Sequence, residues 1–287
     1  MILVTGATGT IGRELVRLLA GEGRQVRAMT RQHAPAPPLP DGVDVVRADF
    51  ADPDALASVM AGVRAVFLLS PPGPWVVQHD AAVLAAARAG GVRTVVKLSA
   101  IGTGDDNLAE VGDWHLPGER AVRDSGLGWT VLRPSSFASN ALQWAHAIRA
   151  GAPVPNPTGT GTQGVVDPLD VAEVAARALT QPGHTGQVYT LTGPELLSVP
   201  DQVERLGEAI GRPLATVGLT PSEYAGQLRS AGLDPAFVEV AVAGARLVAG
   251  GGNAVLTPDV ERVTGHPASP FAGWAGRHRA AFRPGPE

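Results

Sequence analysis

The chain of 287 residues has no cysteine, a single lysine and two tyrosines, and each scarcity excludes some chemistry. Without cysteine there can be no disulfide, no thiolate metal site and no cysteine nucleophile. A reaction that needs a lysine must use Lys97, and one that needs a tyrosine must use Tyr189 or Tyr224. No apolar run reaches the roughly 20 residues that span a bilayer, so the sequence predicts no membrane segment.

The charge balance gives no reason to expect a polyanionic partner. Lys and Arg total 23 against 27 Asp and Glu, for a net charge of −4, which disfavours nucleic acid and anionic membrane surfaces. The first predicted strand begins next to Met1 and leaves no room for a signal peptide, so a cytoplasmic location is expected. The abundance of Arg, Ala, Gly and Pro is typical of a GC-rich bacterial genome.

Apolar segments and helical patterns alternate from the start of the chain to about Pro134, with loop lengths typical of βαβ units. The pattern predicts strands at residues 2–4, 25–30, 43–47, 65–69, 94–98 and 129–132. Predicted helices begin at Ile11 and cover residues 53–62, 75–89 and 117–124. This order predicts an α/β fold with a doubly wound parallel sheet.

A glycine-rich turn follows the first predicted strand and opens the first predicted helix. Gly6, Gly9 and Gly12 form the pattern GxxGxxG. In a dinucleotide site the first glycine permits the tight turn, the second lets the backbone approach a pyrophosphate, and the third lets helix pack on strand. The free N–H groups of the helix would bind the phosphates. The sequence therefore predicts a Rossmann nucleotide site.

The end of the second predicted strand favours NADP over NAD. Proteins that bind NAD usually carry Asp or Glu there for the ribose 2′-hydroxyl. This chain has Thr30 and Arg31 instead. Arginine binds a 2′-phosphate through charge-assisted hydrogen bonds, whereas a carboxylate would repel it. A solvated Arg31, with NAD bound less selectively, is the alternative.

Several segments resemble the NmrA-like atypical short-chain dehydrogenase/reductases, in particular their quinone-oxidoreductase-like subgroup. They are VTGATGTIG at the start, LSAIG at the fifth predicted strand, ERAVRDSGLGWTVLRPSSFASN after it, and LTPDVERVTGHPASPFAGW near the end. The resemblance implies an NADP-binding Rossmann domain over residues 1–150. Residues 151–287 would complete the sheet and form a small substrate lobe, with helices at 171–180, 200–210, 221–228, 235–249 and 271–282 and a strand at 188–191.

The resemblance also implies which residues contact the cofactor. The turn would hold the pyrophosphate through Gly6, Thr8, Gly9, Thr10, Ile11 and Gly12. Arg31 would hold the 2′-phosphate, and Asp49 and Phe50 would flank the adenine. The ribose and nicotinamide would lie against Leu69, Ser70, Pro71, Ser99, Pro134, Ser135 and Phe137. The alternatives are that Asp49 is a helix-cap or loop residue and that Phe50 is ordinary core.

The catalytic set of ordinary short-chain reductases is incomplete in this sequence. That set is a serine with a tyrosine and a lysine four apart, and neither tyrosine here is followed by such a lysine. Ser99 falls where the serine belongs, and His115 and Glu119 fall near the missing pair. His115 is therefore a candidate proton donor, with Glu119 raising its pKa. The alternative is that His115 lines a pocket, Glu119 is a solvated helix acid, and the proton comes from water.

Aromatic residues near these positions suggest a flat, hydrophobic substrate. The predicted substrate pocket contains Trp75, Trp114, His115 and Phe137, with Trp144 nearby in sequence. Asp167, Asp170 and Glu173 have the look of a metal cluster, but Asp170 before a helix is more simply an N-cap, and no metal is expected.

The residues and the resemblance together favour an NADPH-dependent reductase of a ketone or quinone, with an aromatic, polyketide-type ketone as a candidate substrate. Two alternatives stay open. One is a non-catalytic NADP(H)-sensing protein, and the other an isomerase or epimerase with tightly held nicotinamide. The partner is expected to be a small molecule, and the chain a monomer or homodimer.

Overall fold

The computed structural model describes residues 1–31, 38–71, 73–105 and 114–283. A sheet of seven parallel strands forms its centre, in the order β3-β2-β1-β4-β5-β6-β9. The strand order reverses between β1 and β4, and this switch point creates the crevice where doubly wound sheets bind ligands. The strands are β1 (Ile2–Val4), β2 (Val26–Thr30), β3 (Asp44–Arg47), β4 (Ala65–Leu68), β5 (Thr94–Leu98), β6 (Gly128–Pro134) and β9 (Gln187–Leu191).

Helices cover both faces of the sheet. On one face α1 (Thr10–Gly21), α6 (Pro168–Thr180) and α10 (Asp259–Thr264) pack on the strands. On the other face lie α2 (Pro53–Val59), α3 (Val76–Ala89) and α4 (Leu116–Arg123). The fully buried strands β1, β4 and β5 are rich in Val, Leu and Phe, as expected for strands covered on both faces. The predicted doubly wound parallel fold is confirmed.

A smaller apolar cluster forms the C-terminal lobe. It brings together α5 (Ala145–Arg149), α7 (Val199–Ile210), α11 (Phe271–His278) and two 3₁₀ helices, Ala138–Trp144 and Arg279–Phe282. Two small sheets, β7 (Val154–Asn156) with β11 (Thr216–Gly218) and β8 (Gln163–Gly164) with β10 (Leu196–Leu197), belong to this region. The hairpin of α8 (Pro221–Ser230) and α9 (Pro235–Ala249) completes it. The domain boundary at residue 150 stays a prediction. Strand β9, which lies beyond that boundary, pairs with β6 in the central sheet.

Local capping explains where several helices begin. Asp52 accepts a hydrogen bond from the backbone N–H of Ala55, and Pro53 occupies the first helical turn, as the sequence predicts. The predicted N-cap of α6 was wrong. Asp167 is the cap and accepts from the N–H of Leu169, because Pro168 starts the helix one turn before the predicted start. Asp170 is a buried residue inside the helix.

The residues that the structure describes include no candidate for a membrane span or for a metal site. Within those ranges no helix combines the length and the apolar character that crossing a membrane requires. The same residues contain no group of three or more His, Asp or Glu side chains arranged to hold a metal ion.

Candidate active site

The glycine-rich turn leads from β1 into α1. Gly6 has a φ of +63°, and a Cβ there would lie 2.7 Å from the side chain of Leu69. At Gly12 a Cβ would lie only 2.1 Å from the carbonyl oxygen of Gly6. Both glycines are therefore required by the packing of the turn itself, the first by its positive φ and the second by the close approach of α1.

Gly9 has a different environment from the other two glycines. It is exposed, and a Cβ there would meet only the Gly6 carbonyl oxygen, at 3.3 Å. Gly9 is also the N-cap of α1, and no side chain caps the first turn of that helix. The first N–H groups of α1 are thus open to a bound anion, and bare backbone lies where the phosphate would approach. The turn fits the pyrophosphate of a dinucleotide.

The next segment, at the end of β4, is held by internal hydrogen bonds. Thr5 bonds with both the N–H and the carbonyl of Leu69, and so fixes the end of β4 against the end of β1. Ser70 is buried and donates to Asp80 Oδ1 at 2.8 Å. Asp80 in turn pairs with the ammonium of Lys97, 2.6 Å away, and neither side chain is exposed. The single lysine of the chain is thus a structural residue beneath the predicted ribose segment.

The end of β3 departs from the expected adenine contacts. Asp49 accepts a hydrogen bond from the N–H of Ala51, so its carboxylate shapes the turn. Phe50 is only 5% exposed and packs in the core. The imidazole of His79, in the first turns of α3, stacks on its ring with centroids 4.6 Å apart. Sequence reasoning did not find His79, because its partner lies in the preceding βαβ unit.

The hydroxyl of Ser99 points toward a buried acid. It donates to Glu119 Oε1 at 2.7 Å, and its oxygen lies 3.2 Å from the Thr103 hydroxyl. Arg133 donates to both carboxylate oxygens of Glu119, at 2.8 and 2.7 Å, and Arg123 donates to Glu119 Oε2 at 3.1 Å. Glu119 is 1% exposed, so the reading of it as a solvated helix acid was wrong.

The ionisation of Glu119 follows from these contacts. Burial raises the pKa of Glu119, but hydrogen bonds from Arg133 and Ser99 and the charge of Arg133 outweigh burial, so the net pKa is lowered. An ionised carboxylate only accepts hydrogen bonds. The proton of Ser99 must therefore point at Glu119.

His115 is the N-cap of α4, and its carbonyl oxygen accepts the N–H of Glu119 at 2.9 Å. The two residues are thus joined through the backbone, while the carboxylate of Glu119 bonds with Ser99, Arg123 and Arg133. The side chain of His115 lines a large cavity. This placement brings His115 to the predicted substrate region, and the role of Glu119 toward His115 stays a prediction.

The cavity has a volume of about 1210 Å³ and begins at the carboxyl ends of β5 and β6. Its wall there is formed by Ala100, Ile101, Pro134, Ser135 and Ser136, together with Trp114 and His115. The opposite wall is an apolar face of the α8–α9 hairpin, with Tyr224, Phe237, Val240, Ala241, Gly244, Ala245 and Val248. Because parallel sheets bind ligands beyond the carboxyl ends of their strands, this cavity is the candidate substrate site.

The polar lining of the cavity includes five neutral amides, together with several hydroxyls, Asp105 and Arg246. The amides are Asn140, Gln143, Gln163, Gln202 and Asn253. Asn253 donates to Gln163 Oε1 at 3.3 Å and lies 3.5 Å from the hydroxyl of Ser135. No sequence pattern identifies Asn253 or Gln163 as cavity residues, because the segments that carry them are far apart in the chain.

Of the predicted pocket aromatics, Trp114 lines the cavity and so does Trp144. Trp75 and Phe137 are not among the described lining residues. Trp75 is 41% exposed, and its indole N–H donates to the carbonyl of Pro71 at 3.2 Å. Phe137 packs partly buried against the core.

The acids of α6 bind the C-terminal segment. Asp170 accepts from the N–H and the hydroxyl of Ser269, Asp167 pairs with Arg277, and Glu173 accepts from His266 at 2.7 Å. The three carboxylates thus fasten the segment around α11 to the Rossmann sheet. Burial raises the pKa of Asp170, although the bonds from Ser269 oppose that shift.

Comparisons with known proteins agree with this site. Residues 6–182 match a family model described as NAD(P)H-binding. The chain is 39% identical to a (4-alkanoyl-5-oxo-2,5-dihydrofuran-3-yl)methyl phosphate reductase of Streptomyces griseus, over 99% of this chain and 100% of that one. It is 36% identical to an NAD(P)H azoreductase of Xenophilus azovorans, over 98% of this chain and 99% of that one.

Solved structures lead to the same group. An NADPH-dependent quinone oxidoreductase of Escherichia coli superposes with a TM-score of 0.82 at 28% identity, covering 96% of this chain and 99% of that one. The complex of that enzyme with NADPH superposes with a TM-score of 0.83 at 25% identity. The chain therefore belongs to the NAD(P)H-binding family of oxidoreductases, among the NmrA-like atypical short-chain dehydrogenase/reductases.

Proposed function

We propose that the chain is an NADPH-dependent reductase of bulky, neutral ketones or quinones, including aromatic ketones of the polyketide type. The observation that carries the proposal is the cavity at the carboxyl ends of β5 and β6. It exceeds the roughly 300–1,000 Å³ of most ligand pockets. Its apolar α9 wall, its indoles and its neutral amides suit a large conjugated carbonyl compound better than a small acid or sugar.

The chain's own residues fit the cofactor. The turn from Thr8 to Gly12 would hold the pyrophosphate, since its backbone is bare and its N–H groups are uncapped. Arg31 is exposed at the end of β2 and would hold the 2′-phosphate. Leu69 to Pro71 and Pro134 to Phe137 would flank the ribose and nicotinamide. When bound, the nicotinamide supplies the hydride that the carbonyl or quinone accepts.

The chain contributes mainly the positioning of the substrate against the cofactor. Ser99 donates its hydroxyl hydrogen to Glu119, and the carboxylate of Glu119 pairs with two arginines. Neither residue is therefore arranged to protonate a substrate oxygen. We propose that His115 and Trp114 form the wall beside the reacting carbonyl. Water then supplies the proton, and the usual tyrosine–lysine pair has no counterpart in the mechanism.

The test is consumption of NADPH, followed by its absorbance, against a panel of quinones and aromatic ketones. A reductase consumes NADPH with some members of the panel, whereas a sensor binds NADPH and consumes none. Ala241→Phe places a ring in the cavity, and Ala243→Phe places the same ring on α9 at a residue outside the described lining. We expect the first variant to raise KM for bulky substrates and the second to leave it unchanged, with NADPH affinity intact in both.

A further inference from the structure

The adenosine end of the cofactor site is built from the ends of neighbouring strands and the start of a helix. Arg31 follows β2, Asp49 and Phe50 follow β3, and His79 lies in the first turns of α3. Family resemblance places Phe50 against the adenine. In this structure Phe50 is buried, and the imidazole of His79 lies parallel to its ring, with an interplanar angle of 18°.

His79 is the partly exposed member of this stacked pair. Its Nδ1 is buried and has no hydrogen-bond partner within the part of the chain that the structure describes. The exposed part of the residue therefore does not include Nδ1. A ring that stacks on Phe50 is held in one orientation at this partly exposed position.

Charges from each neighbouring element act on this imidazole. Burial lowers the pKa of His79; Asp49 at the end of β3 raises that pKa, Arg31 at the end of β2 lowers it, and Asp80 on α3 raises it. The net effect is a lowered pKa, so His79 is neutral at neutral pH without ligand. Strand β2, which leads into Arg31, pairs directly with β3, which leads into Phe50. The His79 ring stacked on Phe50 therefore lies at the same edge of the sheet as Arg31, the expected partner of the 2′-phosphate.

We infer that His79, rather than Phe50, forms the ring wall of the adenosine pocket and provides, with Arg31, a second cationic contact for the 2′-phosphate of NADP(H). The inference rests on the proposed placement of the cofactor. A dianionic phosphate beside the imidazole stabilises its protonated form. Binding of NADP(H) therefore draws a proton onto His79, and binding of NAD(H), which lacks this phosphate, does not.

The sign of the pH effect follows. As pH falls from about 8 to about 6, the protonated fraction of His79 in the NADP⁺ complex rises. The preference for NADP⁺ over NAD⁺ therefore rises with it. One pKa unit of difference between free and bound states corresponds to about tenfold in affinity. The 2′-phosphate itself titrates near pH 6, so the effect must be measured against a variant without the imidazole.

The experiment measures dissociation constants of NADP⁺ and NAD⁺ by calorimetry at about pH 6 and about pH 8, the range in which histidine changes charge. His79→Phe keeps an aromatic ring stacked on Phe50, but this ring cannot be protonated. We expect its NADP⁺ affinity to fall about threefold to tenfold at the lower pH and little at the higher pH. NAD⁺ affinity should stay the same at both. If Phe does not fold here, His79→Gln is also neutral at every pH.

His184 provides the matched control, because it is a partly buried histidine whose pKa burial also lowers, and its Nδ1 bonds the Tyr189 hydroxyl away from this pocket. His184→Phe should leave the pH dependence of NADP⁺ binding unchanged. A His79 variant with the pH dependence of the wild type overturns the inference. Arg31→Ala tests the cofactor placement separately: an unchanged NADP⁺ affinity in that variant would count against Arg31 and not against His79.

Discussion

The hydroxyl of Ser99 donates to the carboxylate of Glu119 over 2.7 Å, deep inside the junction of β5, β6 and α4. The same carboxylate binds Arg133 through two hydrogen bonds. A serine in the position of a catalytic residue is therefore part of an internal polar network. That network fixes the first turn of α4 and with it the place of His115.

Replacement of His115 by phenylalanine tests whether this chain needs a proton donor. His115→Phe keeps a flat ring in the cavity wall and removes the titratable nitrogens. Because Glu119 is held by the arginines, we expect turnover with NADPH to stay within about tenfold of wild type, below the roughly 10²–10⁴-fold that a general acid contributes. A fall of about a hundredfold, with a rate that declines as pH rises through the histidine pKa, would make His115 the donor.

Removal of the Lys97 charge should severely destabilise the fold. Lys97→Met leaves Asp80 buried without its ion partner. Breaking such a pair costs about 3–5 kcal/mol, which urea unfolding measures. Arg17→Met removes an exposed partner of Glu14 and should cost under about 1 kcal/mol. If the Lys97 variant unfolds at the wild-type midpoint, the ion pair contributes nothing that the apolar replacement does not.

A methyl group at Gly118 should also destabilise the chain. A Cβ there would lie 2.1 Å from Asp80 Oδ2, and the carboxylate cannot move without leaving Lys97. We expect Gly118→Ala to lower the free energy of unfolding by about 1–3 kcal/mol. Gly226, within α8, has nothing within 4 Å of its Cβ position. Gly226→Ala should instead stabilise by about 0.5–1 kcal/mol, and an equal loss in both variants contradicts the packing argument.

A side chain at Gly9 should block the cofactor and leave the fold intact. Among the residues that the structure describes, the Cβ position of Gly9 faces only the Gly6 carbonyl oxygen, so the branched side chain of Gly9→Val points outward, where the pyrophosphate would lie. We expect the circular dichroism of the variant to match wild type and its NADPH binding to be lost in calorimetry. Retained NADPH affinity in a folded Gly9→Val protein would remove the turn from the site.

The link between His266 and α6 should make stability depend on pH. Hydrogen bonds to the Pro267 carbonyl and to Glu173 raise the pKa of His266. A raised pKa in the folded state adds stability below the unfolded pKa, and this stability is lost as pH rises through the folded pKa. His266→Gln should therefore lower the urea midpoint more at about pH 5.5 than at about pH 8.5. With Glu173→Gln as background, the pH dependence of that loss should shrink.

The sequence predicted what depends on local chemistry. Pro53 after Asp52 marks a helix start, and the structure begins α2 there. The same rule, applied to Pro168, would have found Asp167 as the cap of α6 in place of Asp170. The short helix α10 and the two-stranded sheets were missed, because six residues or fewer carry too little periodicity and their pairing is non-local.

The site was less predictable than the fold, because its contacts join separate units. Glu119 is buried by Ser99 from the end of β5 and Arg133 from β6. No pattern within α4 distinguishes that acid from a solvated one. His79 likewise takes its role from Phe50, a residue of the previous unit. Spacing along the chain locates the carboxyl edge of the sheet, but not which side chains meet there.

Because Lys97 is fully buried, its chemical reactivity reports how often the protein unfolds. Lys97 carries the only side-chain amine of the chain, and no part of it reaches solvent. An acylating reagent that modifies lysine side chains can reach it only in molecules whose central strand β5 has been exposed. The rate of labelling at that single position, read by mass spectrometry of the peptide around it, therefore follows the population of the globally open state.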